Sequence, residues 1–156
     1  MTSFCIPSSV TSIGLAAFQS CRSLASLSIP SSVTSIGDGA FAGCIGLTNI
    51  VVPSSVVSLG NGTFDECSGL VSVVLPSNIS SIGSMTFHNC GSLNKLVLPS
   101  SVTCIGEEAF EGCGSLTSII IPIGVTKIHR YAFSNSGLTS LNIPSSVVYI
   151  GDGAFE

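Results

Sequence analysis

The sequence predicts a solenoid, a single domain in which coils of one repeating unit stack on one another. The first observation behind this fold class is a proline period of 23 residues, shortened to 22 at the last step. The prolines of the period are Pro7, Pro30, Pro53, Pro76, Pro99, Pro122 and Pro144. The second is that large apolar residues keep the same period. Stacked coils would therefore bury like against like, in a core that no single coil could enclose.

Each part of the coil has its own apolar signature, and we number positions from the proline. Position four is valine or isoleucine, position seven isoleucine or leucine, and position eighteen leucine. Position twelve is phenylalanine throughout, at Phe18, Phe41, Phe64, Phe87, Phe110, Phe133 and Phe155. Apolar and polar residues alternate at the end of the coil, which predicts a short strand there and a parallel sheet down one face.

The remaining segments predict a second extended piece and a turn. Val-x-x-Ile at positions four to seven gives the extended piece. Gly-x-x-Ala-Phe-x-x-Cys at positions eight to fifteen predicts a helical turn, because alanine and cysteine four residues apart share one helix face. Asp38 and Asp152 stand where such a turn would be capped.

The repeated motif Leu-x-x-Ile-x-Ile-Pro-x-x-Val-x-x-Ile-Gly-x-x-Ala-Phe-x-x-Cys resembles the BspA-like leucine-rich repeat, and the resemblance covers Met1 to Glu156. It implies a curved leucine-rich repeat solenoid with a parallel sheet on the concave face and short extended or helical turns on the convex face. It also implies a surface or secreted protein that binds other proteins. It implies no catalytic residue and no cofactor.

We expect residues 1–156 to form one domain, with six full coils from Pro7 to Ile143 and a partial coil at each end. Neither end looks like a polar cap, so a piece of a longer array is expected. The coil of Pro122 departs most from the motif, since Ile123 and Gly124 replace two serines and one residue is missing before Leu138. Drift near one end of an array and a functional kink both account for this departure.

Composition excludes several function classes. A net charge of −4 with only four basic residues argues against nucleic-acid binding. No apolar run approaches the roughly 18 residues that a membrane-spanning helix needs. The residues from Met1 to Pro7 show no signal peptide, so a cell-surface or secreted location rests on the resemblance alone. His88 and His129 lie on different coils and no phosphate-binding motif occurs, so neither an enzyme nor a small-molecule substrate is expected.

The predicted site is the outward surface of the strand face, meaning the face formed by the strands at the end of each coil. Position twenty-two gives an aliphatic row and position twenty a polar row beside it. The rows are Val51, Val74, Val97 and Ile120, and Asn49, Ser72, Lys95 and Ser118. An exposed apolar row predicts a protein-binding or adhesion module. The alternative is a structural spacer in which β-branched residues merely favour strands.

All eight acidic residues fall at positions nine to fourteen, away from the strand face. Asp65, His88 and Glu111 share position thirteen, where coil neighbours lie about 5 Å apart. His88 could then sit between two carboxylates as a weak cation site, although a solvated polar edge is the simpler interpretation. Glu107, Arg130 and Asp152 at position nine predict a surface ion-pair column. No metal-ligand set is predicted.

A cysteine column occupies position fifteen, at Cys21, Cys44, Cys67, Cys90 and Cys113. Coil spacing near 4.8 Å would allow disulfides by distance, at about the Cα separation they need. Parallel side chains in one column rarely reach the required dihedral angle, so free thiols are favoured. Metal ligation is disfavoured because the column is linear.

Overall fold

The computed structural model describes residues 2–156, so Met1 lies outside the described residues. Twelve short strands form two columns that run along the stack. The strand face carries β1 (Thr2–Cys5), β3 (Leu24–Ser28), β5 (Asn49–Val51), β7 (Ser72–Val74) and β9 (Lys95–Leu96). The second column carries β2 (Ser12–Ile13), β4 (Ser35–Ile36), β6 (Ser58–Leu59), β8 (Ser81–Ile82), β10 (Cys104–Ile105), β11 (Lys127–Ile128) and β12 (Tyr149–Ile150).

Strand pairing confirms the predicted solenoid. All pairings are parallel, and residues at equal positions of successive coils stand beside each other. Asn49 pairs with Ser72, which pairs with Lys95 on the next coil. In the second column Cys104 pairs with Lys127, and Lys127 with Tyr149. Position-for-position pairing is what stacked coils of one length must produce.

The strand-face sheet is less continuous than predicted. It divides into one sheet of β1 and β3 and another of β5, β7 and β9. In the described chain no strand is formed on this face after Leu96. One residue is missing between Phe133 and Leu138, so the last strand segment stands 22 rather than 23 residues after the one before it. A 22-residue step does not by itself prevent pairing, because Lys127 and Tyr149 pair across such a step in the second column.

The phenylalanine column is the centre of the core. Rings from Phe18 to Phe155 stack on one another with centroids 5.1–5.6 Å apart and planes within 14° of parallel. The central rings are fully buried, whereas Phe155 on the last coil is 42% exposed. Each stacked aromatic pair contributes about 0.5–1.5 kcal/mol beyond the burial of its surface. The predicted packing of equal residues on one another is therefore confirmed at position twelve, where the side chains are largest.

The predicted helical turn at positions eight to fifteen is wrong, because none of residues 2–156 is helical. This turn arc, as we name positions eight to fifteen, is instead a series of tight turns. Its residues at positions ten and fourteen have positive φ in all described coils that contain them, for example Met85 at 56° and Glu66 at 53°. A helix requires negative φ throughout. Positive φ at the third residue of a turn is the geometry of type II turns.

Backbone hydrogen bonds between coils explain why the turn arc stays open rather than helical. The amide of Phe64 donates to the carbonyl of Thr86 at 3.0 Å, and that of Phe87 to the carbonyl of Ala109 at 2.9 Å. Glu66 donates in the same direction, to His88, at 2.8 Å. These amides would be used within the coil if it were helical. The turn arc thus extends the inter-coil hydrogen bonding around the coil.

The stacked rings generate a first prediction. Phe87→Ala should lower the free energy of unfolding by about 3–5 kcal/mol, because it leaves a cavity between two fully packed rings. Phe155→Ala is the matched control, since its ring stacks on one side only and is partly exposed; its loss should be about half or less. Urea denaturation measures both losses. Equal losses of stability in the two variants would contradict the phenylalanine column as the main source of stability.

The backbone of the turn arc generates a second prediction. Glu66 is exposed with a φ of 53°, so Glu66→Gly should raise the free energy of unfolding by about 1 kcal/mol by relieving left-handed strain. Ser68→Gly is the control two residues away, exposed but with no positive φ. It should lower stability by about 0.5–1 kcal/mol, because glycine adds freedom to the unfolded chain. Thermal denaturation measures both variants, and a change in stability of the same sign in both would refute the turn geometry.

Candidate functional site

The structure places all eight predicted site residues on the strand face, in two rows. The aliphatic row is exposed, with Val97 at 82% and Ile120 at 85%, while its inward neighbours Val73 and Ile119 are buried. The alternation arises because successive side chains of a strand point to opposite sides of the sheet. Val51 and Val74 pair directly across β5 and β7, so the row is continuous there.

An apolar groove lies against this row. Its volume is about 780 Å³, and it crosses the three coils that begin at Pro53, Pro76 and Pro99. Val74, Val97 and Ile120 line it together with Ser72, Lys95 and Ser118. Val51 and Asn49 line a smaller hollow of about 310 Å³ on the coil before. The predicted residues are thus brought together, although in two adjoining hollows.

The sequence prediction missed several residues of the groove wall, including Leu75 and Pro99. Ser118–Ile120 forms no strand pair with β9 among the described residues, yet both segments line the groove. Leu75 is only partly buried, in contrast to Val52 one coil earlier. The repeat motif assigns position twenty-three to the core, so it gave no signal for Leu75.

The polar row gives the groove a hydrogen-bonding edge. The Ser72 hydroxyl donates to Asn49 Oδ1 at 2.6 Å, which links β7 to β5 through side chains. Lys95 is exposed and forms no ion pair within residues 2–156. The surface therefore offers apolar contacts, hydroxyl and amide groups and one free ammonium group.

Acidic side chains on the turn arc approach His88 from two neighbouring coils. His88 Nδ1 lies 2.7 Å from Asp65 Oδ1, as the shared position thirteen predicts. A ring nitrogen of His88 and carboxylate oxygens of Glu108 and Glu111 all lie within 4.8 Å of one another. Glu108 was missed by the sequence prediction because it stands at position ten, and only the turn geometry brings it to the column.

Position nine behaves as a surface ion pair. Arg130 Nε donates to Glu107 Oε1 at 2.6 Å, and the guanidinium group lies 5.5 Å from the Tyr131 ring centroid. Both charged side chains are largely exposed. The pair was predicted, but Asp152 adds only a backbone contact, since its carbonyl accepts from Tyr131. Such exposed pairs contribute little to stability.

The cysteine column is built from free thiols that join coils. Cys67 Sγ donates to the carbonyl of Phe41 one coil earlier at 3.1 Å, and Cys90 does the same to Phe64. Burial raises the pKa of Cys67 from 9.0 to about 12 and that of Cys44 to about 11. The pKa of Cys90 also lies well above the ordinary value, for the same reason. Cys44, Cys67 and Cys90 are therefore protonated weak donors rather than reactive thiolates.

These raised pKa values predict a loss of stability in alkali. Between pH 9 and about 12 the unfolded chain loses the Cys67 proton while the folded chain keeps it. The unfolded state then binds fewer protons, so the free energy of unfolding falls as pH rises, by about 1.4 kcal/mol per pH unit for each such thiol. Urea denaturation from pH 8 to pH 10 measures the slope. Cys67→Ala should reduce it, whereas Cys5→Ala, at an exposed position, should not.

Sequence comparison decides the family. Residues 1–103 and 80–156 match the BspA type leucine rich repeat region, in six copies. The chain belongs to the BspA-type leucine-rich repeat family. The resemblance inferred from the repeat motif is thereby confirmed. No curated protein matches this BspA-type chain significantly.

Solved structures agree in fold. The chain is similar to a leucine rich cell surface protein from Faecalibacterium prausnitzii, with 32% identity and a TM-score of 0.91 over 99% of this chain and 44% of that one. It is similar to a leucine-rich repeat protein from Eubacterium ventriosum, with 30% identity and a TM-score of 0.90 over 100% of this chain and 42% of that one. It is also similar to a leucine rich repeat protein of T. pallidum, with 35% identity and a TM-score of 0.89 over 96% of this chain and 72% of that one. The BspA-type chain spans less than half the length of the first two.

Residues 2–156 contain no helix with the length and hydropathy to cross a membrane.

Proposed function

We propose that the BspA-type chain is a non-enzymatic binding module that presents its strand face to a protein partner. The observation that carries this proposal is the exposed aliphatic row along a groove of about 780 Å³. Val97 and Ile120, on neighbouring coils, are more than four-fifths exposed and both line the groove. Contiguous apolar patches on a folded surface typically mark contact sites for other molecules.

Strand propensity alone does not require this row. The second column forms strands of the same kind, yet its outward position six is serine in four successive coils. Those residues are Ser12, Ser35, Ser58 and Ser81. The same solenoid therefore builds strands with polar outward residues. This supports recognition, rather than strand formation, as the reason for valine and isoleucine on the strand face.

The groove also suggests the chemistry of the partner. Its apolar floor suits aliphatic or aromatic side chains, which carry most of the binding energy at protein interfaces. Lys95 and the polar row form a rim that suits a carboxylate and backbone carbonyl groups. The F. prausnitzii relative is a cell surface protein. We therefore place this module in surface adhesion, with a protein rather than a small molecule as its target.

The test compares two pairs of substitutions of equal chemistry. Val74→Glu with Val97→Glu puts two carboxylates into the groove and should abolish binding, a loss of at least tenfold in affinity. Val57→Glu with Val148→Glu is the control, because these valines are equally exposed and directly precede strands of the second column. A photo-reactive residue at position 97 captures partner proteins, and mass spectrometry compares them with those captured from position 57.

We expect a protein to be captured from position 97 and not from position 57. Binding of that protein should be lost in the Val74→Glu, Val97→Glu variant and kept in the control. Circular dichroism and thermal denaturation should show both variants folded. A folded first variant that keeps its partner would reject the strand face as the binding surface. Capture that does not differ between the two positions would favour a structural spacer.

A further inference from the structure

We propose that the turn arc holds a divalent transition-metal site formed by His88, Glu108 and Glu111. One potential ligand atom from each lies within 4.8 Å of the other two, and all three side chains are partly buried. The residues come from two successive coils, since His88 belongs to the coil of Pro76 and the glutamates to that of Pro99. This site is independent of the strand face.

The hydrogen bonds of His88 assign Nε2 as its acceptor nitrogen, which is the ring atom that could bind a metal. Nδ1 lies 2.7 Å from Asp65 Oδ1, a carboxylate that can only accept, so Nδ1 carries the proton. Asn89 Nδ2 lies 3.2 Å from Nε2 and donates to it, which agrees with that tautomer. Ligating histidines usually donate their other ring N–H to a carboxylate, which fixes the tautomer and the ring orientation. Asp65 has that role here, and the exposed Asn89 amide can turn away.

The ligand set favours zinc-like ions over calcium. One imidazole and two carboxylates suit Zn²⁺, Ni²⁺ or Co²⁺, whereas Ca²⁺ prefers an all-oxygen shell. Ligand atoms around a tetrahedral Zn²⁺ lie about 3.3 Å apart, so the side chains would close by roughly 1 Å or more.

The local charge supports cation binding. Asp65, Glu108 and Glu111 bring three carboxylates to the surroundings of one imidazole. The nearest described guanidinium group, of Arg130, is paired with Glu107. A bound cation would therefore meet a net negative charge, although Arg130 also acts electrostatically on Glu108. It would join two coils directly, and a third through Asp65, so it would stabilise the stack.

The experiment uses the full chain with Cys5→Ser, which removes the exposed thiol as a competing ligand. ZnCl2 and CaCl2 are added separately. Calorimetry measures the affinity for each ion, and thermal denaturation measures the shift in Tm. We expect one Zn²⁺ per chain and a rise in Tm, with little effect of Ca²⁺. His88→Gln should weaken Zn²⁺ binding at least tenfold, and Asp65→Asn by about 10–100-fold.

His129→Gln is the matched control, because His129 is the other histidine of the chain and stands outside the cluster. It should leave Zn²⁺ affinity unchanged. The proposal is overturned if Ca²⁺ binds as well as Zn²⁺, if His88→Gln has no effect, or if both histidine variants lose affinity equally. Circular dichroism confirms folding of each variant, and Glu111→Gln serves as a second test should His88→Gln not fold.

Discussion

Hydrogen bonding between matching segments of neighbouring coils is the constraint on which this structure depends. It acts around most of the coil: Val52 donates to Val74 on the strand face, and Phe64 donates to Thr86 on the turn arc. In the second column the amide of Gly60 donates back to Ile36. A coil held at several points cannot slip along its neighbour without breaking all of these bonds at once. Side chains at one position therefore meet their own counterparts.

The thiol column shows how this constraint selects residue types. Position fifteen faces the phenylalanine carbonyl of the coil before, as Cys67 faces that of Phe41. That carbonyl already accepts from the amide of Cys44 in its own coil. A thiol fills the space as a small hydrophobe and adds a weak donor. A hydroxyl would be costlier to bury, so cysteine suits a dry position with one remaining acceptor.

The sequence predicted what is periodic and missed what depends on backbone conformation. The phenylalanine column and the outward row of Val74 and Val97 follow from the 23-residue step alone. The turn arc does not, because its left-handed positions hold glycine in some coils and Glu66 or Met85 in others. Glycine therefore gave no consistent signal, and the spacing of alanine and cysteine suits a helix equally well. Glu108 was missed for the same reason, since the turns bring it beside His88.

The groove and the proposed metal site occupy the same three coils, on opposite parts of their circumference. Ser72 and Asp65 belong to the coil of Pro53, Lys95 and His88 to that of Pro76, and Ser118 and Glu111 to that of Pro99. Between them lies the stacked and fully buried Phe64, Phe87 and Phe110. A ligand on either side would act on the same two coil contacts. Any coupling between the two sites must therefore pass through the spacing of these coils, and it would be reciprocal.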